Sequence, residues 1–333
     1  MIRNFIFVIL IAATAAIIGC AAPKFNLFPD AAEPLKEFTL QGKGKEKVLV
    51  IPVNGKISDS SREKMIGGIQ PSMVQEIVSQ LKLAEKDKNI RSVLFKINSP
   101  GGSVTASDIL YYEILSFKQR TDIPIVASLM GVAASGGYYI SLPADSIFAH
   151  PTTVTGSVGV LFLQPKVNKL MGKIGLGVEV SKSGKNKDMG SPFRETTIGE
   201  EKMFQMLTEE LGHRFINLVA EHRRLDIKTL GDISSARIYL ADEALSLGLV
   251  DKIGYLDDAL SEAKKLAGLP ENAKVVVYRR TKYPDDNLYN TAAMKSGAKN
   301  ISLIDLEQLK ELFLPEAGFY YLWQPAVSIE FGS

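Results

Sequence analysis

The chain has 333 residues, 39 basic and 37 acidic side chains, a formal net charge of +2, and 46% hydrophobic against 23% charged residues. This balance excludes disordered and collagen-like classes and gives no electrostatic case for a nucleic-acid partner. One cysteine and three histidines exclude an intramolecular disulfide and a Cys-rich zinc site, and leave little from which to build a histidine metal cluster.

The first element is a short positive segment, Met1-Ile2-Arg3-Asn4, followed by an uncharged and mostly apolar run over residues 5–18. That run is shorter than the ~20 residues of a comfortable membrane span and fits the apolar core of a secretory signal. It closes with Ile17-Ile18-Gly19-Cys20, then Ala21-Ala22-Pro23. This resembles a bacterial lipobox, in which small residues precede a cysteine that is lipidated and becomes the new N-terminus. Residues 1–19 then read as a lipoprotein signal peptide and Cys20 as the lipidation site. Two or three acyl chains on it would anchor the chain firmly. The competing reading is an uncleaved signal anchor with an incidental cysteine. In both, most of the chain lies outside the cytoplasm, tethered in the cell envelope, on the periplasmic side in a Gram-negative cell.

Residues 20–45 are mixed and bear Pro and Lys, and read as a tether. From Val48 the pattern changes. Val48-Leu49-Val50-Ile51-Pro52-Val53 predicts a buried strand, and Met73, Ile77, Leu81 and Ala84 mark one face of a helix. A second strand over 92–97 ends in Asn98-Ser99-Pro100-Gly101-Gly102. A helix over 108–118 and a strand over 125–130 follow. Strands alternating with helices imply βαβ units, a mainly parallel sheet, and sites at strand ends. A long helix over 198–224 carries Met203, Leu207, Leu211, Phe215 and Leu218 on one face, and a shorter one over 242–247 is closed by Gly248. The main domain is expected over 46–270. Residues 271–333 read as a tail, with a helix near 305–313 and the aromatic cluster Phe319-Tyr320-Tyr321-Leu322-Trp323. That cluster packs either on its own domain or between copies of the chain.

Two glycine-rich loops follow predicted strands. In Asn98-Ser99-Pro100-Gly101-Gly102-Ser103, paired glycines let backbone N–H groups approach a ligand, so the loop could bond an oxyanion and pair with an extended peptide. The plain alternative is a strand-to-helix turn. In Gly131-Val132-Ala133-Ala134-Ser135-Gly136-Gly137-Tyr138-Tyr139, small residues flank Ser135 at the start of a helix, with the Gly136 N–H aimed where an oxyanion would form. Here a nucleophile and a simple helix-capping serine stand level. A serine nucleophile needs a base. His213 and His222 fall within the long helix and His150 precedes Pro151, so all three are poor candidates. A desolvated lysine could serve, and Ser183-Gly184-Lys185-Asn186-Lys187-Asp188-Met189-Gly190-Ser191-Pro192-Phe193 offers one, although for Lys182 and Lys185 a solvated basic loop is the simpler reading.

These motifs carry a resemblance. The NSPGG and AASGGYYI loops, TGSVGV over 155–160, SGKNKDMGSPF, and Arg237-Ile238-Tyr239 with Gly248-Leu249-Val250-Asp251 occur in one order over most of 48–270. Together the chain resembles a signal peptide peptidase of the protease IV family, in its short, single-repeat form. The resemblance implies an α/β fold of the crotonase/Clp-protease type, with stacked βαβ units, and a Ser-Lys peptidase domain over 46–270. It implies Ser135 as nucleophile, Lys187 as general base and Ser157 as the residue orienting the lysine amine. Gly102 and Gly136 match the oxyanion-hole donors, and an extended substrate is expected to add as a strand beside Gly101, Gly102, Ser103 and Val104. Ala241 departs from the family's pattern, where glycine is expected. The implied activity is a membrane-tethered serine endopeptidase cleaving apolar peptides such as spent signal sequences, as a homo-oligomer and with no metal or cofactor. Two other readings share the fold: an inactive membrane-bound scaffold, disfavoured by retention of Ser135, Lys187 and Ser157, and a crotonase-like acyl-CoA enzyme, disfavoured by export.

Overall fold

The apolar runs become the middle of one twisted sheet. A computed structural model describes residues 33–64, 68–290 and 317–326, so Cys20, the signal segment and the helix expected near 305–313 lie outside the described residues. In chain order the strands are β1 (Lys36–Gln41), β2 (Lys47–Asn54), β3 (Arg62–Lys64), β4 (Gly68–Gln70), β5 (Ile90–Ser99), β6 (Gly101–Ser103), β7 (Ile125–Ala134), β8 (Ser146–Ala149), β9 (Val154–Gly156), β10 (Leu161–Leu163), β11 (Ile238–Leu240), β12 (Lys252–Ile253), β13 (Lys274–Arg279) and β14 (Gly318–Leu322). The helices are α1 (Met73–Lys86), α2 (Val104–Thr121), α3 (Gly136–Tyr139), α4 (Asn168–Lys173), α5 (Ile198–Arg223), α6 (Ile227–Ile233), α7 (Ala241–Ser246) and α8 (Leu256–Leu266).

The main sheet runs β1–β13–β2–β5–β7–β8–β12, with β9 beside the end of β7 and β11 beside β9. From β13 to β12 neighbouring strands are parallel, while β1 on β13 and β11 on β9 run antiparallel. Successive side chains point to opposite faces, and here both faces are covered. Leu49, Ile51, Val93 and Phe95 pack with Ile77, Leu81, Leu110 and Ile114 of α1 and α2. Val48, Val50, Leu94 and Val126 pack with Leu256, Ala259, Leu260 and Ala263 of α8. That is why these strands read as continuous apolar runs rather than alternating ones. The chain has a Clp-protease-like α/β fold, as the motifs imply.

The expected boundaries at 45 and 270 need correction. β1 lies in the supposed tether and β13 in the supposed tail, yet β13 sits between β1 and β2 with Val275 and Val276 fully buried. Lys47 bonds Glu37 of β1 and Asp87 beyond α1, each at 2.7 Å, clamping the outer strand to the sheet. A three-residue valine run has too much apolar surface to leave in a solvated tail. Pro and Lys around residues 23–45 mask the strand because β1 is an edge, where such residues are tolerated.

Lys96 of β5 is buried on the α8 face and donates to the Leu288 and Asn290 carbonyls at 2.6 and 3.3 Å. Burial pulls its amine down from 10.5 to about 8. The native protein therefore releases this proton at lower pH than the unfolded chain, and between these two values the unfolded chain holds more protons. Stability conferred at this site should rise as pH climbs from about 8 towards 10.5. In urea titrations across that range, wild type should gain up to roughly 3 kcal/mol relative to Lys96→Met. A pH-independent difference would show that the two carbonyls keep the ammonium fully charged.

Candidate active site

β5 and β7 end side by side, with Ser99 in register with Ala133, and each delivers a glycine loop to the same place. On the first, Gly101 adopts φ 98° and its N–H donates to the buried Ser99 Oγ at 3.1 Å. A Cβ on Gly101 would lie 2.7 Å from the Gly136 nitrogen and would strike the Tyr321 carbonyl. A Cβ on Gly136 would lie 2.5 Å from Ser107 Oγ and 3.1 Å from Tyr321 O. The three backbones converge because none of the glycines has a side chain to keep them apart.

On the second loop, β7 runs into Ser135, which holds φ 52° and ψ −117°, outside both helix and strand regions and strained for a residue with a Cβ. The turn is pinned on both sides. Ser135 N–H donates to Gly156 O at 2.7 Å, and Ser135 O accepts from Tyr139 N–H at 2.8 Å. The side chain caps nothing: Ser135 is 1% exposed and its Oγ has no hydrogen-bond partner among the described residues. An unpaired buried hydroxyl costs about 1–3 kcal/mol, so the capping alternative gives no account of this residue.

β9 lies parallel to the end of β7, with Gly156 opposite Ala134, so Ser157 follows directly beside the Ser135 turn. Ser157 is buried, has φ 53°, and donates its N–H to Arg237 O at 2.8 Å. Lys187 is not brought to Ser135 by a hydrogen bond. It is exposed, on a loop over 182–190 whose next residue, Asp188, is gripped by Arg194 at 2.8 and 3.0 Å and by Lys182 at 2.7 Å. Arg194 also bonds Glu200, whose carboxylate closes the capping box of α5 with Thr197. The Arg194 and Lys182 contacts hold the Asp188 carboxyl far below its ordinary range. None of the histidines reaches Ser135 Oγ. His150 bonds Thr152 at 2.9 Å, and His222 bonds Tyr111 OH at 2.7 Å and is held below its usual pKa by burial.

The expected substrate edge is corrected in part. Ile57 N–H donates to Gly101 O at 2.8 Å and Ser103 N–H to Ile57 O at 3.1 Å, so both residues face Ile57. Ser103 Oγ also accepts from Ala106 N–H at 3.2 Å as the N-cap of α2, and Val104 is the first residue of that helix. Alternate backbone groups of a strand point to opposite sides, and this leaves Gly102 to face the other edge. That edge is paired with β14 of the same chain. Tyr321 is opposite Gly102, and Trp323 N–H donates to Pro100 O at 2.8 Å. Bonded pairs alternate along an antiparallel ladder, so Tyr321 and Gly102 form the next bonded pair, with the Tyr321 carbonyl on the Gly102 N–H. β10 pairs with the far side of β14, giving a three-stranded sheet β10–β14–β6.

Comparison with known proteins fits this geometry. The family model for Clp protease matches residues 51–155 and that for peptidase family S49 matches residues 117–270. The protein named signal peptide peptidase SppA in Enterococcus faecium is 35% identical over 276 residues, which is 82% of this chain and 79% of that protein. The chain belongs to peptidase family S49. Protease 4 of Haemophilus influenzae is 30% identical over 257 residues, covering 76% of this chain but 40% of that protein. A chloroplastic serine protease SPPA of Arabidopsis thaliana is 29% identical over 235 residues, covering 70% of this chain and 34% of that one. This S49 member is a serine-type peptidase, a hydrolase acting on peptides.

Sequence reasoning missed the Arg194 clamp, the pairing of β14 with Gly102, and the aromatic surroundings of Tyr321. The visible signal for the second was the run Phe319-Tyr320-Tyr321-Leu322, a strand pattern with aromatics on both faces. A Cβ on Gly102 would strike the Ile57 carbonyl, so Gly102→Ala must displace β6 from its neighbours. Hydrolysis of a fluorogenic peptide by Gly102→Ala should fall about 100-fold or more, the loss expected of one oxyanion donor, with far-UV circular dichroism unchanged. Wild-type turnover in a folded Gly102→Ala protein would remove Gly102 from the site.

Proposed function

We propose that the chain is a membrane-tethered endopeptidase in which Ser135 is the nucleophile and Lys187 the general base. The observation that carries this reading is the Ser135 hydroxyl: buried, unpartnered, on a strained turn, beside the backbones of Gly101, Gly102 and Gly136. Ser135 Oγ bonds to the carbonyl carbon of the scissile peptide while its proton passes to neutral Lys187 Nζ. The Gly102 and Gly136 N–H groups stabilise the resulting oxyanion, each contributing on the order of 3 kcal/mol to the transition state. Lys187 then gives that proton to the departing amine as the C–N bond breaks, leaving an acyl-serine. Lys187 takes a proton from water as the water oxygen bonds to the acyl carbon; the C–Oγ bond then breaks, and Lys187 returns the proton to Ser135 Oγ as the acid product leaves. Ser157, beside the Ser135 turn, holds the lysine amine in line.

Lys187 serves the Ser135 of a neighbouring copy. The support for this is its exposure together with the apolar residues around it. Leu170, Ile174, Leu176, Val178 and Val180 are all exposed on the stretch leading to the lysine loop, and the described residues of one copy leave them uncovered. A partner that covers them would also exclude water from around the lysine. Substrates are apolar peptides such as signal-peptide remnants, which suits a site held near a membrane surface. The anchor is lipidated Cys20, and the site faces the cell envelope. Among the described residues no helix is long and apolar enough to cross a membrane.

Ser135→Ala and Lys187→Ala should each lose at least 1,000-fold in kcat/KM on an apolar fluorogenic peptide. A mixture of the two inactive proteins, exchanged through mild dissociation, should regain part of the activity, because some interfaces then pair an intact serine with an intact lysine. Retained hydrolysis in both variants sinks the dyad, and no recovery on mixing sinks the shared site. For the anchor, Cys20→Ala should move from the membrane pellet to the supernatant after an alkaline wash. Unchanged fractionation would remove the lipid.

A further inference from the structure

Arg194 spans the gap between the lysine loop and the start of α5. Its guanidinium grips the Asp188 carboxylate through Nε at 2.8 Å and Nη2 at 3.0 Å, and Nη2 also donates to the Asp188 carbonyl at 3.0 Å. Nη1 donates to the Glu200 carboxylate and to the Glu195 carbonyl, each at 2.9 Å. A planar fork can hold two carboxylates at once in fixed directions, which the point charge of an ammonium cannot do. The far end of the clamp is firm. Glu200 is buried and accepts from the Thr197 N–H at 2.8 Å in the first turn of the 26-residue α5. The loop itself is a series of tight turns: Lys187 N–H donates to Gly184 O at 3.1 Å, and Ser191 N–H to Asp188 O at 3.0 Å. Lys187 therefore leaves the backbone one residue before the carboxylate that Arg194 fixes. The other charged groups around it are Lys182, Lys185, Lys166 and Glu195. Lys182 bonds Asp188 at 2.7 Å, Lys166 bonds the Ser191 and Arg194 carbonyls at 2.8 and 3.2 Å, and Glu195 accepts from Asn168 at 3.0 Å.

We infer that Arg194 is a positioning residue for Lys187, fixing the direction in which the loop presents the amine and neutralising the carboxylate beside it. This rests on the reading of Lys187 as the general base. Arg194 bonds Asp188, Glu195 and Glu200, so it acts on the reaction through the lysine loop. Two physical effects are combined in one side chain. The first is geometric: proton transfer needs the amine within hydrogen-bond reach of the serine hydroxyl, and a misplacement of about 1 Å costs roughly 100-fold in rate. The second is electrostatic. A base works in its neutral form, and an unpaired carboxylate next to it favours the charged form instead. Arg194 and Lys182 meet the Asp188 charge, and the Arg194 contact is the larger cause holding that carboxyl far below its ordinary range. The same guanidinium holds Glu200 at about 2, so both anions stay charged and both ends of the clamp stay closed across the range in which a peptidase works.

The test uses the full chain, an apolar fluorogenic peptide, and the pH dependence of kcat and KM in two variants. In Arg194→Ala, kcat should fall about 100-fold while KM stays within about threefold of wild type. Its Asp188 carboxylate has lost its main partner and holds a proton on the base, so the acid limb of the kcat/KM profile should move up by about one pH unit. Asp188→Asn removes the carboxylate and leaves Arg194 and Lys182 in place. Its acid limb should move the other way, to lower pH, with kcat reduced by about tenfold because the loop has lost one anchor. Opposite shifts are what a role in general loop stability does not give. Rates that fall in both variants with the acid limb unmoved overturn the positioning role, and so does wild-type kcat in Arg194→Ala. If Arg194→Ala does not fold, Asp188→Asn decides alone, since it keeps the bond from Arg194 to Glu200 and the cap of α5; an unmoved acid limb there overturns the role. Failure of the base is read separately. Hydrolysis retained by Lys187→Ala faults Lys187 itself, whereas an inactive Lys187→Ala beside a fully active Arg194→Ala faults the positioning alone.

Discussion

One backbone hydrogen bond holds the site in place: the Ser135 N–H donating to the Gly156 carbonyl. It forces the chain leaving β7 through a turn that a residue with a Cβ rarely adopts, and it does so by placing β9 against the last residues of β7. Ser135 then projects from the strand end while Gly136 and Gly137 turn beneath the loop from β5. The closeness of that loop depends on missing side chains. Gly101 and Gly102 admit the Tyr321 carbonyl and the Ile57 carbonyl, and Gly137 admits Ser99, so a methyl group at any of them would push apart the two strand ends. The strain at Ser135 is held by the large buried core behind it, where Tyr138 donates to the Leu249 carbonyl and Tyr139 stands between Tyr111, Phe215 and Tyr321.

The proposed base is positioned by different means. Lys187 belongs to a loop whose shape is maintained by charge rather than by burial, with Arg194 joining Asp188 to Glu200 at the start of α5. This clamp is a local network within a few residues of sequence, so it preserves the shape of the loop without requiring a particular partner beneath it. A loop that is pre-shaped and also exposed is suited to docking against a second surface, and the apolar residues before it would be covered at the same time.

β14 resolves a second constraint. The Gly102 edge of β6 is a row of unpaired backbone groups if left alone, and such an edge invites any extended segment to add to it. In the resting chain the segment that adds is the protein's own, with β10 on its far side. The arrangement satisfies the backbone of β6 and fills an aromatic cavity that would otherwise be empty.

The parallel α/β fold, the two glycine loops and Ser135 were legible in the sequence, because buried strands and small-residue turns leave local patterns. The helix α5 and the strands β2 and β5 came within one or two residues of their expected limits for the same reason, while β7 runs to Ala134, four residues beyond its expected end. What could not be read locally were pairings between distant segments. β1 and β13 lie outside the expected boundaries, since an edge strand's mixed composition resembles a linker. The aromatic cluster near the C-terminus gave no sign of whether it would face its own domain or another copy, and only the three-dimensional pairing of Tyr321 with Gly102 decided that. The sequence by itself determined which chemical groups are present and on which kind of element each sits. The tertiary structure alone decided which backbone edge of β6 meets Ile57 and which meets β14, because that depends on which of two opposite directions each N–H and C=O takes, and on which distant strand meets it there.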